Sequence, residues 1–288
     1  MPDGFELAQR LLPPELRRAT AALPPGLRAR AEELRLRMGR PAALRLPEGE
    51  RSLEVPVTAA LLSAVLENAT CASLHAVEDE LCRGFVSAPG GVRVGVCGTA
   101  VTEPGRGVRT LRDVSSLCIR IPRQISGAGA SVIPALRDSS VLILSPPGGG
   151  KTTFLRELVR SVSDAGVRVS LADERGELAG MYGGVPGFDL GRCTDVLTAA
   201  PKAEAAMALL RSMAPEVVAM DEISAPEDAA AIETLLGCGV RIFATAHALA
   251  GEDLRRRPVY ARLAERGAFQ KLVRISGGQP RRYTVEAL

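Results

Sequence analysis

The chain has 288 residues, of which 46% are apolar and 24% are charged, as in an ordinary soluble globular protein. Its 36 basic and 33 acidic residues give a net charge of +3, which predicts no strong general attraction to nucleic acid or anionic lipid. No run of about 18 apolar residues exists, so the sequence predicts no transmembrane segment. The first residues carry no basic start followed by an apolar stretch, so we expect a cytoplasmic chain. The length predicts two modest domains.

Short helices followed by strands are predicted for the first part of the chain. Helical spacing covers residues 7–12, 27–36, 61–67 and 77–82. A β-hairpin is predicted from 85–87 and 92–96 around the turn Pro89-Gly90-Gly91, and a strand at 117–121. Because residues 124–130 are rich in Ser, Gly and Ala, we interpret them as a linker and predict an N-terminal α+β domain over 1–124.

The second part alternates apolar runs with helical stretches. Strands are predicted at 141–144, 167–172, 217–220 and 240–244, and helices at 152–165, 202–214 and 226–236. The runs do not alternate with polar residues, which is typical of strands buried on both faces. We therefore predict an α/β domain over 125–288, with a mostly parallel central sheet.

A glycine-rich loop joins the first of these strands to the first helix. It has the strand, loop and Lys-Thr helix start of a phosphate-binding loop, although Ser145 stands where this motif usually has its first glycine. Glycines let backbone N–H groups turn towards phosphates, and the helix N-terminus favours an anion. The predicted nucleotide-binding residues are Pro147, Gly148, Gly149, Gly150, Lys151, Thr152 and Thr153.

Two carboxylates, Asp221 and Glu222, end the apolar strand 217–220. We predict that Asp221, together with the Thr152 hydroxyl, holds Mg²⁺, and that Glu222 orients and polarises the attacking water. A strand ending in Asp-Glu is a weak signal alone, but the phosphate loop makes it strong. Since the chain lacks an Asn-Lys-x-Asp motif for guanine, ATP is preferred over GTP.

Two further strand ends should converge on the same sheet edge. Glu174 is a candidate second catalytic acid, and an ion pair to Arg175 or another neighbour is its alternative reading. His247 is a candidate that senses the terminal phosphate, and a hydrogen-bonded structural histidine is the alternative.

The stretch 275–279 is similar to the signature of ABC-transporter ATPases. It follows the Asp-Glu strand, whereas that signature precedes it, so we predict instead a hairpin turn between apolar segments.

Only three of the basic residues are lysines: Lys151, Lys202 and Lys271. Coding bias towards arginine explains most of this, but a phosphate loop requires a slim ammonium where a planar guanidinium would not fit. Lys202 is predicted to be an exposed lysine at a helix start, with an interface contact as the alternative.

Several motifs together resemble a known family. Residues 210–218, Asp221-Glu222 and 244–248 are similar to the ATPases of type II and type IV secretion and pilus machines. Residues 93–96, 116–121, 145–148, 173–179, 194–197, 201–202 and 211–215 extend the resemblance, over nearly the whole chain, to the stage III sporulation AA family.

This resemblance implies a RecA-like, P-loop NTPase domain behind a smaller N-terminal domain, with ATP and Mg²⁺ as ligands. It also implies a homo-oligomeric ring, expected to be a hexamer, that energises a secretion channel between mother cell and forespore. Its partners would be membrane proteins of that channel, to which the cytoplasmic ring would be peripheral on the mother-cell side. An arginine from the neighbouring subunit commonly stabilises the developing charge in such rings, and Arg93, Arg120 and Arg123 are the candidates.

Two other functions stay open at this point. A nucleic-acid-binding ATPase is disfavoured by the near-neutral charge and by the scarcity of aromatic residues, six Phe, three Tyr and no Trp. An ATP-locked scaffold without a motor role would use the nucleotide only to hold the ring together.

Overall fold

The chain folds into two compact units. The computed structural model describes residues 3–71, 78–103, 105, 107–146, 148–246, 257–276, 278 and 281–288. The first unit comprises residues 1–124 together with 180–187, and the second comprises 125–179 and 188–288. Segment 180–187, which the sequence analysis had included in the second domain, is therefore grouped with the first unit.

The first unit is a six-stranded antiparallel sheet with short helices. Its helices are α1 (Gly4–Arg10), α2 (Pro14–Ala21), α3 (Pro25–Arg30), α4 (Ala59–Ala69) and α5 (Glu78–Cys82). Its strands are β1 (Glu33–Arg37), β2 (Pro41–Leu46), β3 (Gly49–Pro56), β4 (Phe85–Ala88), β5 (Val92–Glu103) and β6 (Gly107–Arg120), in the order β3-β2-β1-β6-β5-β4. Helix α1 begins where Asp3 accepts a hydrogen bond from the N–H of Phe5, and α4 begins where Thr58 accepts one from Leu61. Large buried core side chains include Phe5, Leu12, Leu16, Leu34, Leu44, Leu62 and Ile119.

The predicted helix over 27–36 is wrong in its second half. Helix α3 ends at Arg30, and strand β1 begins at Glu33. Leu34 and Leu36 are buried while their neighbours along β1 are not, and this period of two matches pairing with β2 on one side and β6 on the other. The pairing partners are far away in sequence, so local spacing did not indicate them. The hairpin of β4 and β5 and the helix α4 are confirmed, whereas β2 and β3 were not predicted.

The second unit has a seven-stranded sheet flanked by helices. Its strands are β7 (Val141–Leu144), β8 (Val169–Asp173), β9 (Thr194–Thr198), β10 (Val217–Met220), β11 (Arg241–Ala246), β12 (Lys271–Ile275) and β13 (Tyr283–Ala287). Its helices are α6 (Lys151–Asp164), α7 (Lys202–Met213), α8 (Pro226–Gly237) and α9 (Pro258–Glu265). The strand order is β13-β12-β7-β11-β10-β8-β9, and every pair is parallel except β12 with β13.

The α/β prediction for this part of the chain is confirmed. All residues of β7 and β10 are buried, as expected for strands covered on both faces. The antiparallel pair of β12 and β13 also confirms the segments predicted on either side of residues 275–279. Because β7, β8, β10 and β11 are parallel, their carboxyl ends lie at one sheet edge, where open α/β sheets bind ligands.

No helix in the described ranges combines the length and the apolar character needed to cross a membrane.

Segment 180–187 contacts the first unit through glycines. A Cβ on Gly187 would lie 2.7 Å from the carbonyl carbon of Gly90 and 2.7 Å from the nitrogen of Gly91. A Cβ on Gly91 would lie 3.3 Å from Gly180. The backbones are therefore too close for a side chain at Gly187 unless one of them shifts.

We predict that Gly187→Ala destabilises the protein by about 1–3 kcal/mol, because the new methyl group meets backbone atoms that must shift. Urea unfolding measures the change. Gly26→Ala is the matched control, since a Cβ there meets nothing within 4 Å. Equal stability of the two variants would contradict the close approach.

Candidate nucleotide-binding site

The loop between β7 and α6 turns tightly around its glycines. Gly148 and Gly150 have φ values of +70° and +95°, in the left-handed region that favours glycine. The N–H of Gly149 donates to the carbonyl oxygen of Pro146 at 3.0 Å, and a Cβ on Gly149 would lie 2.8 Å from the Cβ of Ser145. Ser145 is buried, and its hydroxyl donates to the same Pro146 carbonyl at 2.8 Å. The serine therefore fits the loop where a glycine was expected.

Lys151 is the first residue of α6 and is only 6% exposed. Its Nζ donates to the carbonyl oxygen of Ser145 at 3.2 Å, at the start of the loop. Burial lowers the pKa of Lys151, and the nearby carboxylates of Asp221 and Glu222 act in the opposite direction. The ammonium group thus lies beside the loop and within the electrostatic influence of both acids.

Asp221 connects three elements at the carboxyl edge of the sheet. Its Oδ2 accepts a hydrogen bond from the Thr152 hydroxyl at 3.0 Å, and its Oδ1 accepts one from the Thr245 hydroxyl. The Thr245 oxygen in turn accepts the N–H of Glu222 at 2.8 Å. Thr245 is fully buried near the end of β11, beside β10 in the parallel sheet. One carboxylate therefore fixes the start of α6 relative to β10 and β11.

The oxygen atoms of Thr152 and Asp221 form a donor set that fits Mg²⁺. Magnesium prefers hard oxygen ligands, and a hydroxyl beside a carboxylate supplies two of them. Thr152 and Asp221, the two residues predicted to hold Mg²⁺, are therefore adjacent.

Glu222 has a left-handed backbone, with φ +49°, directly after Asp221. Its carboxylate forms an ion pair with Arg175, with 3.3 Å between Oε2 and Nη1. Both side chains are well exposed, so this pair contributes little stability and can be exchanged at low cost.

Glu174 forms an ion pair with Lys202, with 3.0 Å between Oε2 and Nζ. The same Nζ lies 3.7 Å from the buried carboxylate of Asp228. The predicted exposure of Lys202 is therefore wrong, because its side chain is only 13% exposed between two acids from other elements. Glu174 therefore forms the ion pair that was its alternative interpretation, and its partner is Lys202.

Asp173, at the end of β8, holds the loop that carries Glu174 and Arg175. Its buried carboxylate accepts hydrogen bonds from the backbone N–H groups of Glu177, Leu178 and Ala179. Burial raises the pKa of Asp173, while these hydrogen bonds act to lower it. The sequence places Asp173 at the end of an apolar strand and within a family motif, but it does not indicate that this side chain accepts hydrogen bonds from the loop.

Arg156, on α6, supports the same loop from the other side. Its buried guanidinium donates to the carbonyl oxygens of Leu178 and Glu177 at 2.8 and 2.9 Å. It also lies 3.7 Å from the centroid of the Phe188 ring. Burial lowers the pKa of Arg156 to about 10, so the group stays charged at neutral pH. Nothing in the sequence pattern indicated this arginine, because its partners are backbone atoms of a distant loop.

The remaining predicted site residues have different positions. Pro147 and His247 lie outside the described residues. Arg93 and Arg120 are cross-strand neighbours on β5 and β6 in the first unit, and the Arg93 guanidinium lies 3.7 Å from the centroid of the Phe85 ring. Arg123 donates to the carbonyl oxygen of Ala31 at 2.7 Å.

A glycine-rich loop and an Asp-Glu strand end on a mostly parallel sheet define a RecA-like P-loop protein. Two solved structures share this fold. The pilus retraction motor PilT with bound ADP has a TM-score of 0.63 and 16% identity, covering 90% of this chain and 79% of that chain. The Legionella pneumophila ATPase DotB has a TM-score of 0.59 and 14% identity, covering 94% and 78%.

The sequence comparisons identify the family. The profile for sporulation stage III, protein AA matches residues 7–283. Stage III sporulation protein AA of Bacillus subtilis (strain 168) is 38% identical over 280 residues, which cover 94% of this chain and 90% of that protein. The chain belongs to the sporulation stage III, protein AA family.

We predict that Asp173→Asn destabilises the protein by about 1–3 kcal/mol, because the amide NH₂ would face backbone N–H groups that need an acceptor. Denaturant unfolding measures the loss, and hydrogen exchange should be faster at the amides of Glu177, Leu178 and Ala179. Asp113→Asn is the control, since that side chain is 74% exposed. Unchanged exchange at the three amides would contradict the role of Asp173.

Proposed function

We propose that this chain binds Mg-ATP at the loop between β7 and α6, hydrolyses its β–γ phosphoanhydride bond and works as a ring ATPase. In this proposal the ring energises a secretion or channel complex between mother cell and forespore during sporulation. The observation that carries the ATPase proposal is the Thr152–Asp221–Thr245 network, since it joins a hydroxyl and a carboxylate beside a phosphate-binding loop. Family membership and the motor-like fold support the biological setting.

The phosphates would be bound by the loop and the start of α6. Backbone N–H groups of Gly148 and of Gly150 to Thr153 would supply donors, and the helix N-terminus adds its positive dipole end. The ammonium group of Lys151, which donates to the Ser145 carbonyl beside the loop, would form a charge-assisted hydrogen bond with phosphate. Thr152 and Asp221 would hold Mg²⁺, which supplies charge neutralisation at the phosphates.

We assign the orientation of the attacking water to Glu222. Its N–H donates to the Thr245 hydroxyl oxygen, and its carboxylate lies at the sheet edge, directly after Asp221, in an exposed ion pair with Arg175. Glu174 is the less suitable base, because Lys202 already engages its carboxylate. His247 directly follows β11, and we propose that it senses the terminal phosphate.

In the proposed ring, arginines of the first unit act at a subunit interface. We propose that Arg93, Arg120 or Arg123 reaches the nucleotide of a neighbouring subunit. Arg93 and Arg120 are paired in register across β5 and β6, which places two basic residues at the same level of that sheet.

Three substitutions test the chemistry. Lys151→Ala should abolish Mg-ATP binding, because it removes the cation of the loop. Glu222→Gln should keep Mg-ATP binding and lower the hydrolysis rate by about 10²–10⁴-fold, as expected for loss of a general base. Glu174→Gln is the matched control and should retain most of the activity. Isothermal titration measures binding, and phosphate release measures turnover.

Outcomes of this series separate the candidate functions. If Glu222→Gln keeps full hydrolysis and Glu174→Gln loses it, Glu174 orients the attacking water and Glu222 does not. Absence of hydrolysis in the wild-type chain, with Mg²⁺ and membrane partners present, would overturn the motor. Sporulation that survives Glu222→Gln but not Lys151→Ala would instead favour the ATP-locked scaffold.

Mixing experiments test the ring. If an arginine acts across a subunit interface, an inactive Lys151→Ala chain should partly restore hydrolysis to a chain carrying Arg93→Ala, Arg120→Ala or Arg123→Ala. A mixed pair places an intact loop beside an intact arginine. Arg112→Ala is the control, because that side chain is 69% exposed on the same hairpin and should not impair hydrolysis. Activity no higher than that of the separate variants would contradict action in trans.

A further inference from the structure

The hairpin of β12 and β13 brings a second basic residue, besides Lys151, to the phosphate-binding loop. Strand β12 runs parallel to β7, with Arg274 level with Leu144 at the carboxyl end. Strand β13 returns antiparallel, with Tyr283 level with Ile275. Arg281 and Arg282, which directly precede Tyr283, therefore lie at the sheet edge from which the loop between β7 and α6 leaves.

Arg281 lies directly against this loop. Its Nη2 donates to the carbonyl oxygen of Gly148 at 3.3 Å. A Cβ on Gly150 would lie 2.6 Å from Cζ of Arg281, so a side chain there would displace the guanidinium from its position. The contact thus involves the two loop glycines that have positive φ values.

The base of the hairpin is anchored on the helix that follows the loop. The Tyr283 ring stacks on Phe154 of α6, with 5.1 Å between ring centroids and an interplanar angle of 29°. Phe154 is fully buried. Because Arg281 is two residues from this anchor, its backbone is held close to the loop and to the start of α6.

The charge of Arg281 is not compensated by a carboxylate in the described parts of the chain. Its one hydrogen bond there goes to a neutral carbonyl, whereas Arg274 of the same hairpin forms an ion pair with Glu286. A guanidinium has further N–H donors in a planar fork that matches phosphate oxygens. A bound nucleoside triphosphate carries more negative charge than one lysine and one Mg²⁺ neutralise.

We propose that Arg281 is a second cation of the phosphate-binding site, provided by the same chain, and that its guanidinium contacts the bound polyphosphate. This inference rests on the proposed nucleotide binding. It concerns a contact within one chain and is independent of Arg93, Arg120 and Arg123, which lie in the first unit.

Equilibrium binding of Mg-ATP and of inorganic tripolyphosphate to the full chain tests this assignment. Arg281→Ala should weaken both ligands by about tenfold or more, as expected for loss of a charge-assisted hydrogen bond. Arg282→Ala is the matched control, since it removes the same charge one residue away, and it should change binding by less than about twofold.

Arg281→Gln separates contact with the ligand from support of the loop. Glutamine keeps an N–H donor for the Gly148 carbonyl but has no charge. If Arg281 contacts phosphate, Arg281→Gln should lose as much affinity as Arg281→Ala, and if it only supports the loop, affinity should return. Thermal unfolding verifies that each variant is folded.

Three results would overturn the assignment. One is recovery of affinity in Arg281→Gln, and another is equal affinity of Arg281→Ala and Arg282→Ala while the wild-type chain binds Mg-ATP. If the wild-type chain binds no Mg-ATP, the proposed function itself fails and this inference fails with it. Binding by the wild type therefore distinguishes the two kinds of failure.

Discussion

The second unit depends on one carboxylate at the edge of its sheet. Asp221 accepts hydroxyl hydrogen bonds on both oxygens, from Thr152 at the start of α6 and from Thr245 on β11. The same threonine oxygen receives the N–H of Glu222. The phosphate-binding loop, the acid after Asp221 and the neighbouring strand therefore share one hydrogen-bonded network, and a shift in one of them moves the others.

Two buried charges hold the adjacent loop through its backbone groups. Asp173 is satisfied by backbone N–H groups, and Arg156 by backbone carbonyls and an aromatic ring. Burying a charge is costly unless it is hydrogen-bonded, so removing either side chain leaves several backbone groups without partners. This arrangement holds Glu174 and Arg175 at the site, while the chain beyond Ala179 continues into the segment grouped with the first unit.

The two units differ in how much of them could be predicted. The sequence predicts four strands of the second unit as short apolar runs, because each strand is buried on both faces: β7, β8, β10 and β11. In β1 of the antiparallel first unit only alternate residues are buried, and this strand was mistaken for part of a helix. Leu34 and Leu36 lie in a strand because β1 pairs with β2 and β6. The spacing of nearby apolar residues does not indicate this pairing.

The amino-acid sequence by itself determined the phosphate-binding loop, the Asp-Glu strand end and the family, because these depend on residue types at short, fixed spacing. Only the tertiary structure decided which distant side chains surround the loop. Thr245 donates a hydrogen bond to Asp221, Lys202 lies between Glu174 and Asp228, and Arg281 lies against Gly148 and Gly150. The physical reason is that hydrogen bonds and ion pairs depend on distance in space, and the order of strands in the sheet sets that distance. Two of the three lysines show the difference, since Lys151 is recognisable from its loop and Lys202 only from its partners.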